Sequence, residues 1–328
     1  MKKKWFVGFG ILFLNLVLAS GAVFAEAPPI KLGAMFISSG KMGGYGIHAR
    51  QAIQLAVDEI NDGGGILGRK LTAVVEDTQL KKDIVTALAD RFINEDKVDF
   101  LMGPTSSGLA MTLTDIAKEH KKILVVTQAA ADGLTGEKLH PYIYSTLSNA
   151  MMHARSGAHL LAAKPYKRYM CIGPDYSYGH SSWNLFKSKL QELNPDVEIV
   201  GELFPKFLAA DYSDFIKQIL EAKPDVVWSP LWGGDAVTFI RQALPTGLFD
   251  EVKFAFPCAG ALEVLVPMGR EMPDGVYVSS RYFFTSPDSS MNRDFVKAYR
   301  ERYDDYPDYM AGETYAGVYF IKAAVEQI

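Results

Sequence analysis

Short apolar runs alternate with amphipathic stripes along almost the whole chain, and this alternation constrains the fold more than any single motif. Residues 32–37 read as a buried strand. Ala49, Ala52, Ile53, Ala56, Val57 and Ile60 then recur at the i, i+3, i+4, i+7 spacing of a helix. Strands follow at 71–76, 100–102 and 123–126, with helices around 84–93 and 107–119 between them. The rhythm restarts after Tyr144-Ser145-Thr146: a helix at 149–163, then strands at 169–172, 198–203, 226–230, 252–256 and 276–279. Helices at 181–193, 213–222, 235–244 and 259–266 are interleaved with these strands, and two more, at 291–302 and 312–327, close the chain. Repeated β-α units predict parallel sheets covered on both faces. At 328 residues the chain exceeds what one core usually supports. The expected fold class is therefore α/β, with two doubly wound parallel-sheet lobes joined by a hinge. The first lobe takes 26–145 and a return segment at 280–328, and the second takes 146–279.

The first 25 residues stand apart. Lys2, Lys3 and Lys4 precede an apolar run from Trp5 to Ala19, and Val23-Phe24-Ala25 offers small residues for cleavage. This pattern predicts a secretory signal peptide over 1–25, a first mature residue at Glu26 and a periplasmic destination. No cysteine follows the apolar run, so a lipid anchor is not expected, and no later stretch is long and apolar enough to span a bilayer. The formal charge is −4, or −7 without the three lysines, which argues against nucleic acid or an anionic membrane surface as partner. Cys171 and Cys258 are too few for a disulfide scaffold and read as two buried free thiols. The last helical pattern runs to Ile328 without a capping signal, so the natural protein is expected to continue.

Catalytic signatures are missing. There is no G-x-x-x-x-G-K-[ST], no H-E-x-x-H and no G-x-S-x-G. Gly63-x-Gly65-x-x-Gly68 has dinucleotide spacing but follows a helix instead of a strand. It reads as a helix C-cap and turn. The six histidines show no metal spacing, and His153 and His159 fall on different helix faces. No cofactor is expected. The turn Gly103-Pro104-Thr105-Ser106-Ser107-Gly108 is more informative, because it follows a strand and opens a helix. Its small residues permit close approach, and the free N–H groups of the helix start favour an anion. Thr127–Ala131 closes the next strand at the same sheet edge, where open α/β sheets bind ligands. In the second lobe Pro174–Gly179, Leu231–Asp235 and Phe256-Pro257-Cys258 also follow strands. They offer exposed aromatic tips suited to a ligand sandwich. Asp211 and Asp235 read as helix N-caps.

Ser39-Gly40 with Tyr45-Gly46, the run from Asn61 to Lys70, the Gly103–Ser107 turn and Tyr178-Gly179 together resemble the leucine/isoleucine/valine-binding family. These are substrate-binding proteins of ABC importers with the type I periplasmic-binding fold. The resemblance covers about 30–328. It implies two lobes that close on a solute and deliver it to an ABC permease in the inner membrane. It also implies a monomer, no cofactor and no chemistry. The third lobe crossover would then lie beyond Ile328. By the same resemblance Tyr45 flanks the ligand, Ser107 binds its carboxylate with Ser106 beside it, and the Ala129 carbonyl faces its amine. Tyr178 and Trp232 close from the second lobe.

Two positions depart from the amino-acid binders. They carry threonine or serine where this chain has Ala131, and a glutamate, offsetting the ligand ammonium, where it has Cys258. An ammonium buried without an anionic partner costs several kcal/mol. A carboxylate without an α-amine, aromatic or otherwise, is the expected solute. A sensor module for a signalling partner and a true branched-chain amino acid receptor are the alternatives.

Overall fold

The computed structural model describes Met1 and residues 27–327. The expected signal peptide, the residue after its cleavage point and Ile328 lie outside the described residues.

Seven residues at 30–36 alternate poorly but are buried on both faces save Lys31, the pattern of a strand covered by helices on each side. They form β1 (Ile30–Phe36), an interior strand of a sheet with β2 (Leu71–Asp77), β3 (Phe100–Met102), β4 (Ile123–Val126) and β5 (Ile143–Ser145). The strand order is β2-β1-β3-β4-β5 and every pairing is parallel. Helix α1 (Gly44–Asp62) lays Ala49, Ile53, Ala56 and Ile60 on one face of this sheet. Helices α2 (Lys82–Asn94) and α3 (Ser107–Glu119) cover the other face with Val85, Phe92, Ala110 and Leu113.

The chain then crosses to a second sheet. Its elements run α4 (Ala150–Ala162), β6 (Arg168–Ile172), α5 (Ser177–Leu193), β7 (Glu198–Leu203), α6 (Ser213–Ala222) and β8 (Val226–Trp228). They continue with α7 (Gly233–Ala243), α8 (Leu248–Glu251), β9 (Lys253–Phe256), α9 (Leu262–Met268) and β10 (Tyr277–Val278). The order β10-β9-β8-β6-β7 is again all parallel. After β10 the chain returns, and α10 (Ser290–Tyr303) and α11 (Tyr309–Glu326) pack beside α1, where Val318 and Ile321 complete the first core. The expected two doubly wound lobes are thus observed.

Local chemistry explains several boundaries. The glycine run after α1 is the turn the sequence predicts. Gly64, Gly65 and Gly68 all have positive φ, and a Cβ on Gly65 would meet the Arg69 carbonyl at 2.2 Å. Asn61 locks the exit, with its amide donating to the Leu71 carbonyl at 2.9 Å and its Oδ1 accepting from the Leu71 N–H at 2.8 Å. Two expected caps are corrected. Asp211 sits one residue outside the N-cap position and accepts from the Ser213 N–H at 2.9 Å. Asp235 is the third residue of α7, not its cap. It is buried, and its carboxylate accepts from the Tyr212 hydroxyl. Both cysteines are free and buried. Among the described residues no helix is long and apolar enough to cross a membrane.

Candidate functional site between the lobes

The loops leaving the carboxyl ends of both sheets line one narrow cleft between the lobes. The first lobe and α11 contribute Tyr45, Thr105, Ser107, Gln128, Ala130 and Tyr309; the second contributes Tyr176, Tyr178, Trp232 and Cys258. Arg281, on the return segment after β10, completes the wall. Aromatic rings meet across the lobes. Tyr45 sits edge-on to Trp232 with ring centres 4.8 Å apart and edge-on to Tyr309 at 6.1 Å. Trp232 stacks on Phe207 at 5.2 Å and donates its indole N–H to the Tyr176 hydroxyl at 2.9 Å. Burial holds the Tyr45, Tyr178 and Tyr309 hydroxyls well above their ordinary pKa, so they act as neutral donors and acceptors.

The candidate residues named from sequence are not all on the cleft wall. Tyr45, Ser107, Tyr178, Trp232 and Cys258 line it together. Ser107 opens α3, whose first N–H groups have no intrahelical partner and form the positive end of the helix. Its Oγ accepts from the Ala131 N–H at 3.1 Å, which leaves the hydroxyl hydrogen to donate into the cleft. Ser106 holds the N-cap position beside it, half-buried and without a side-chain cap bond. Ala129 packs into the core of the first lobe, so the loop after β4 presents Gln128 and Ala130 to the cleft. Ala131 reaches the site through its N–H to Ser107. Tyr178 and Trp232 are not the exposed loop tips that the sequence suggests. Helix α5 begins at Ser177, earlier than expected, and lobe contact leaves each of the two rings only 5% exposed. The Tyr178 hydroxyl lies 3.0 Å from the Cys258 thiol.

Arg281 is the principal residue that sequence reasoning missed. Its side chain is 6% exposed; Nη1 donates to the Gln128 carbonyl at 2.6 Å and lies 3.7 Å from a carboxylate oxygen of Glu313, itself buried in α11. Its guanidinium stands over the Tyr309 ring at 5.0 Å. Burial pushes the Glu313 carboxyl up to about 8 despite the arginine. His153, on α4, bonds the Pro257 carbonyl at 3.1 Å and Ser148 at 2.9 Å. Burial, with Arg281 adding to it, lowers its pKa to about 4, so it is a neutral structural residue. Among the described residues no cluster of His, Cys, Asp or Glu could hold a metal ion.

A second contact ties the lobes at their rim. Asp308 caps α11 by accepting from the Tyr309 N–H at 2.7 Å, and its other oxygen accepts from the Glu263 N–H of α9 at 3.1 Å. One carboxylate from the first lobe thus serves helix starts in both. Burial pushes Asp308 up to about 6, and burial with Asp308 nearby pushes Glu263 up to about 7. Both pKa values rise on folding, so their stabilising contribution is full below the ordinary carboxylate range and is lost as pH climbs through 6 and 7. Thermal melts of wild type and Glu263→Gln/Asp308→Asn between about pH 5 and pH 8 test this. The loss of Tm toward the higher pH is expected to be smaller in the variant.

Fold and cleft together define a two-lobed α/β protein with an aromatic-lined cleft between its lobes. The family model for periplasmic binding proteins matches residues 29–328, and the chain belongs to that family, as a type I member of the leucine/isoleucine/valine-binding group. It is 26% identical over 269 residues to the Leu/Ile/Val-binding protein homolog 4 of Brucella abortus, which covers 78% of this chain and 62% of that protein. The chain thus spans less than two thirds of the length of that relative. A solute-binding protein of an ABC transporter from R. palustris, solved with benzoate, superposes with a TM-score of 0.83 at 23% identity, over 91% of this chain and 81% of that one. One from Rhodopseudomonas palustris BisB5 with 3,4-dihydroxybenzoic acid gives 0.79 at 24%, over 91% and 81%. The branched-chain amino acid binding protein of Streptococcus pneumoniae with isoleucine gives 0.82 at 22%, over 92% and 84%. At these identities the likeness is one of fold.

Proposed function

We propose that this protein is the periplasmic solute receptor of an ABC importer, and that its two lobes close on a small carboxylate lacking an α-amine, with an aromatic acid the best fit. The observation that carries this reading is the cleft wall. Among the described residues lining it there is no aspartate or glutamate, a thiol stands at Cys258, and aromatic rings enclose the space. An α-amino acid would bury its ammonium there at a cost of several kcal/mol. The Ser107 hydroxyl and the first turn of α3 suit a carboxylate, and the rings of Tyr45 and Trp232 suit a flat apolar body. Solved proteins of the same fold hold benzoate and 3,4-dihydroxybenzoic acid as well as isoleucine, so the fold accommodates such a solute and the choice rests on the cleft wall. Closure shifts a hinge equilibrium and uses no cofactor, and the partner that receives the solute is an inner-membrane permease.

Intrinsic tryptophan fluorescence tests the reading, because Trp232 lies on the cleft wall. Benzoate, 4-hydroxybenzoate and cyclohexanecarboxylate are titrated beside leucine, isoleucine and valine. Saturation by a member of the first set, with none by the second, supports the proposal; saturation by leucine alone overturns it. Ser107→Ala is expected to weaken binding of the best carboxylate by about 1–3 kcal/mol, the usual loss of a hydrogen bond to a charged group. Unchanged affinity would remove Ser107 from the site.

A further inference from the structure

We propose that Arg281 is the residue that sets which solutes the cleft admits: its guanidinium receives an acceptor group of the solute, a carboxylate above all, and excludes any solute that carries an ammonium. The inference rests on the reading that the solute binds between the lobes, and it names the side chain that selects there.

Arg281 is the one charged side chain among the described residues lining the cleft. A guanidinium has five N–H donors in a fixed plane, and a buried one is held by partners that satisfy them. Here Nη1 is spent on the Gln128 carbonyl, and Tyr309 supports the plane from one side. Nε is buried and has no hydrogen-bond partner. An unpartnered buried donor on a cation points to an acceptor that arrives with the solute. Carboxylates match this fork better than neutral groups do, because the hydrogen bonds are charge-assisted.

Glu313 stands beside the guanidinium without consuming the donor. At 3.7 Å its carboxylate is too far for a hydrogen bond, and that oxygen has no other partner. Burial raises its pKa and so favours the neutral carboxyl, which leaves the guanidinium as the charge that an arriving solute meets. The same charge opposes an ammonium at close range in a site that lobe closure shields from water. Selection is thus both attractive and repulsive, which separates two solutes better than attraction alone.

The test uses the mature protein with benzoate and its neutral isostere benzamide, followed by calorimetry. Arg281→Gln/Glu313→Gln removes both ionisable groups, so no buried carboxylate is left without its arginine. Arg281→Lys keeps the charge but loses the fork. Circular dichroism and melting confirm that each variant is folded. Wild type is expected to prefer benzoate over benzamide by about tenfold or more. The double variant should lose benzoate affinity by about 30-fold or more with the preference falling toward unity, and the lysine variant should fall between. A folded double variant that keeps the wild-type preference overturns the role of Arg281 while leaving the solute reading intact. Wild type that is saturated by leucine and by no amine-free carboxylate overturns that reading, and this inference with it.

Discussion

Trp232→Ala is expected to weaken binding of the best carboxylate by about 2–4 kcal/mol while leaving the fold in place, the size of effect that a buried aromatic anchor gives. Trp232 occupies the N-cap position of α7, so its backbone is fixed by the helix start while its ring projects from the second lobe. The ring packs edge-on to Tyr45 of the first lobe, stacks on Phe207 and donates to Tyr176. Its apolar neighbours belong to the cluster between the lobes, not to either lobe core. Truncation therefore removes a wall of the cleft and a contact that exists only when the lobes meet. Calorimetric titration of the variant measures the loss. A change of less than about threefold would place the solute away from this ring.

Gly103→Ala is expected to destabilise the protein by about 3 kcal/mol or more. Gly103 has φ +101°, a conformation that side chains rarely adopt, and an added Cβ would lie 2.2 Å from the Met35 carbonyl of β1. The obstacle is the backbone of an interior strand, which cannot move aside as a flexible side chain can. The Gly103 N–H also donates to the Val125 carbonyl at 3.1 Å, so the turn is tied to β4. A urea titration should show a lower midpoint at unchanged slope, and a loss below about 1 kcal/mol would mean that the turn yields easily. Because this turn delivers Thr105 and Ser107 to the cleft, solute affinity should fall together with stability.

The fold was largely legible because its signal is local. Residues 100–102, 123–126, 107–119 and 213–222 show their period within a few residues, and the structure places elements at those same bounds. β5 carries no strand signal in the sequence: it has three residues, two of them exposed, and lacks an apolar run. The start of α5 was read late, since Ser177-Tyr178-Gly179-His180 carries no apolar stripe and its helicity depends on packing against the rest of the second lobe. The site divides the same way. Tyr45, Ser107, Tyr178, Trp232 and Cys258 stand out because each lies in a segment that follows a strand of its lobe and because the family resemblance gives each a place at the ligand. Ala129 was a backbone assignment, one residue away from the side chain that faces the cleft. Arg281 gave no signal: in Ser280-Arg281-Tyr282 it looks like an isolated surface cation. Its burial comes from Gln128, Tyr309 and Glu313, and the nearest of these is 28 positions away in the chain. Only the return crossover brings them together.

The central claim is that this cleft takes a carboxylate and refuses the α-amine, and matched pairs test it most directly. 3-Phenylpropionate and phenylalanine share a skeleton and differ only in the amine, as do 4-methylpentanoate and leucine. Each is titrated into the mature protein under one buffer and salt. The amine-free member is expected to bind more tightly in both pairs, by about a hundredfold or more, the gap that a penalty of about 3 kcal/mol for a buried unpaired ammonium gives. Tighter binding of phenylalanine or leucine than of its amine-free partner would contradict the account.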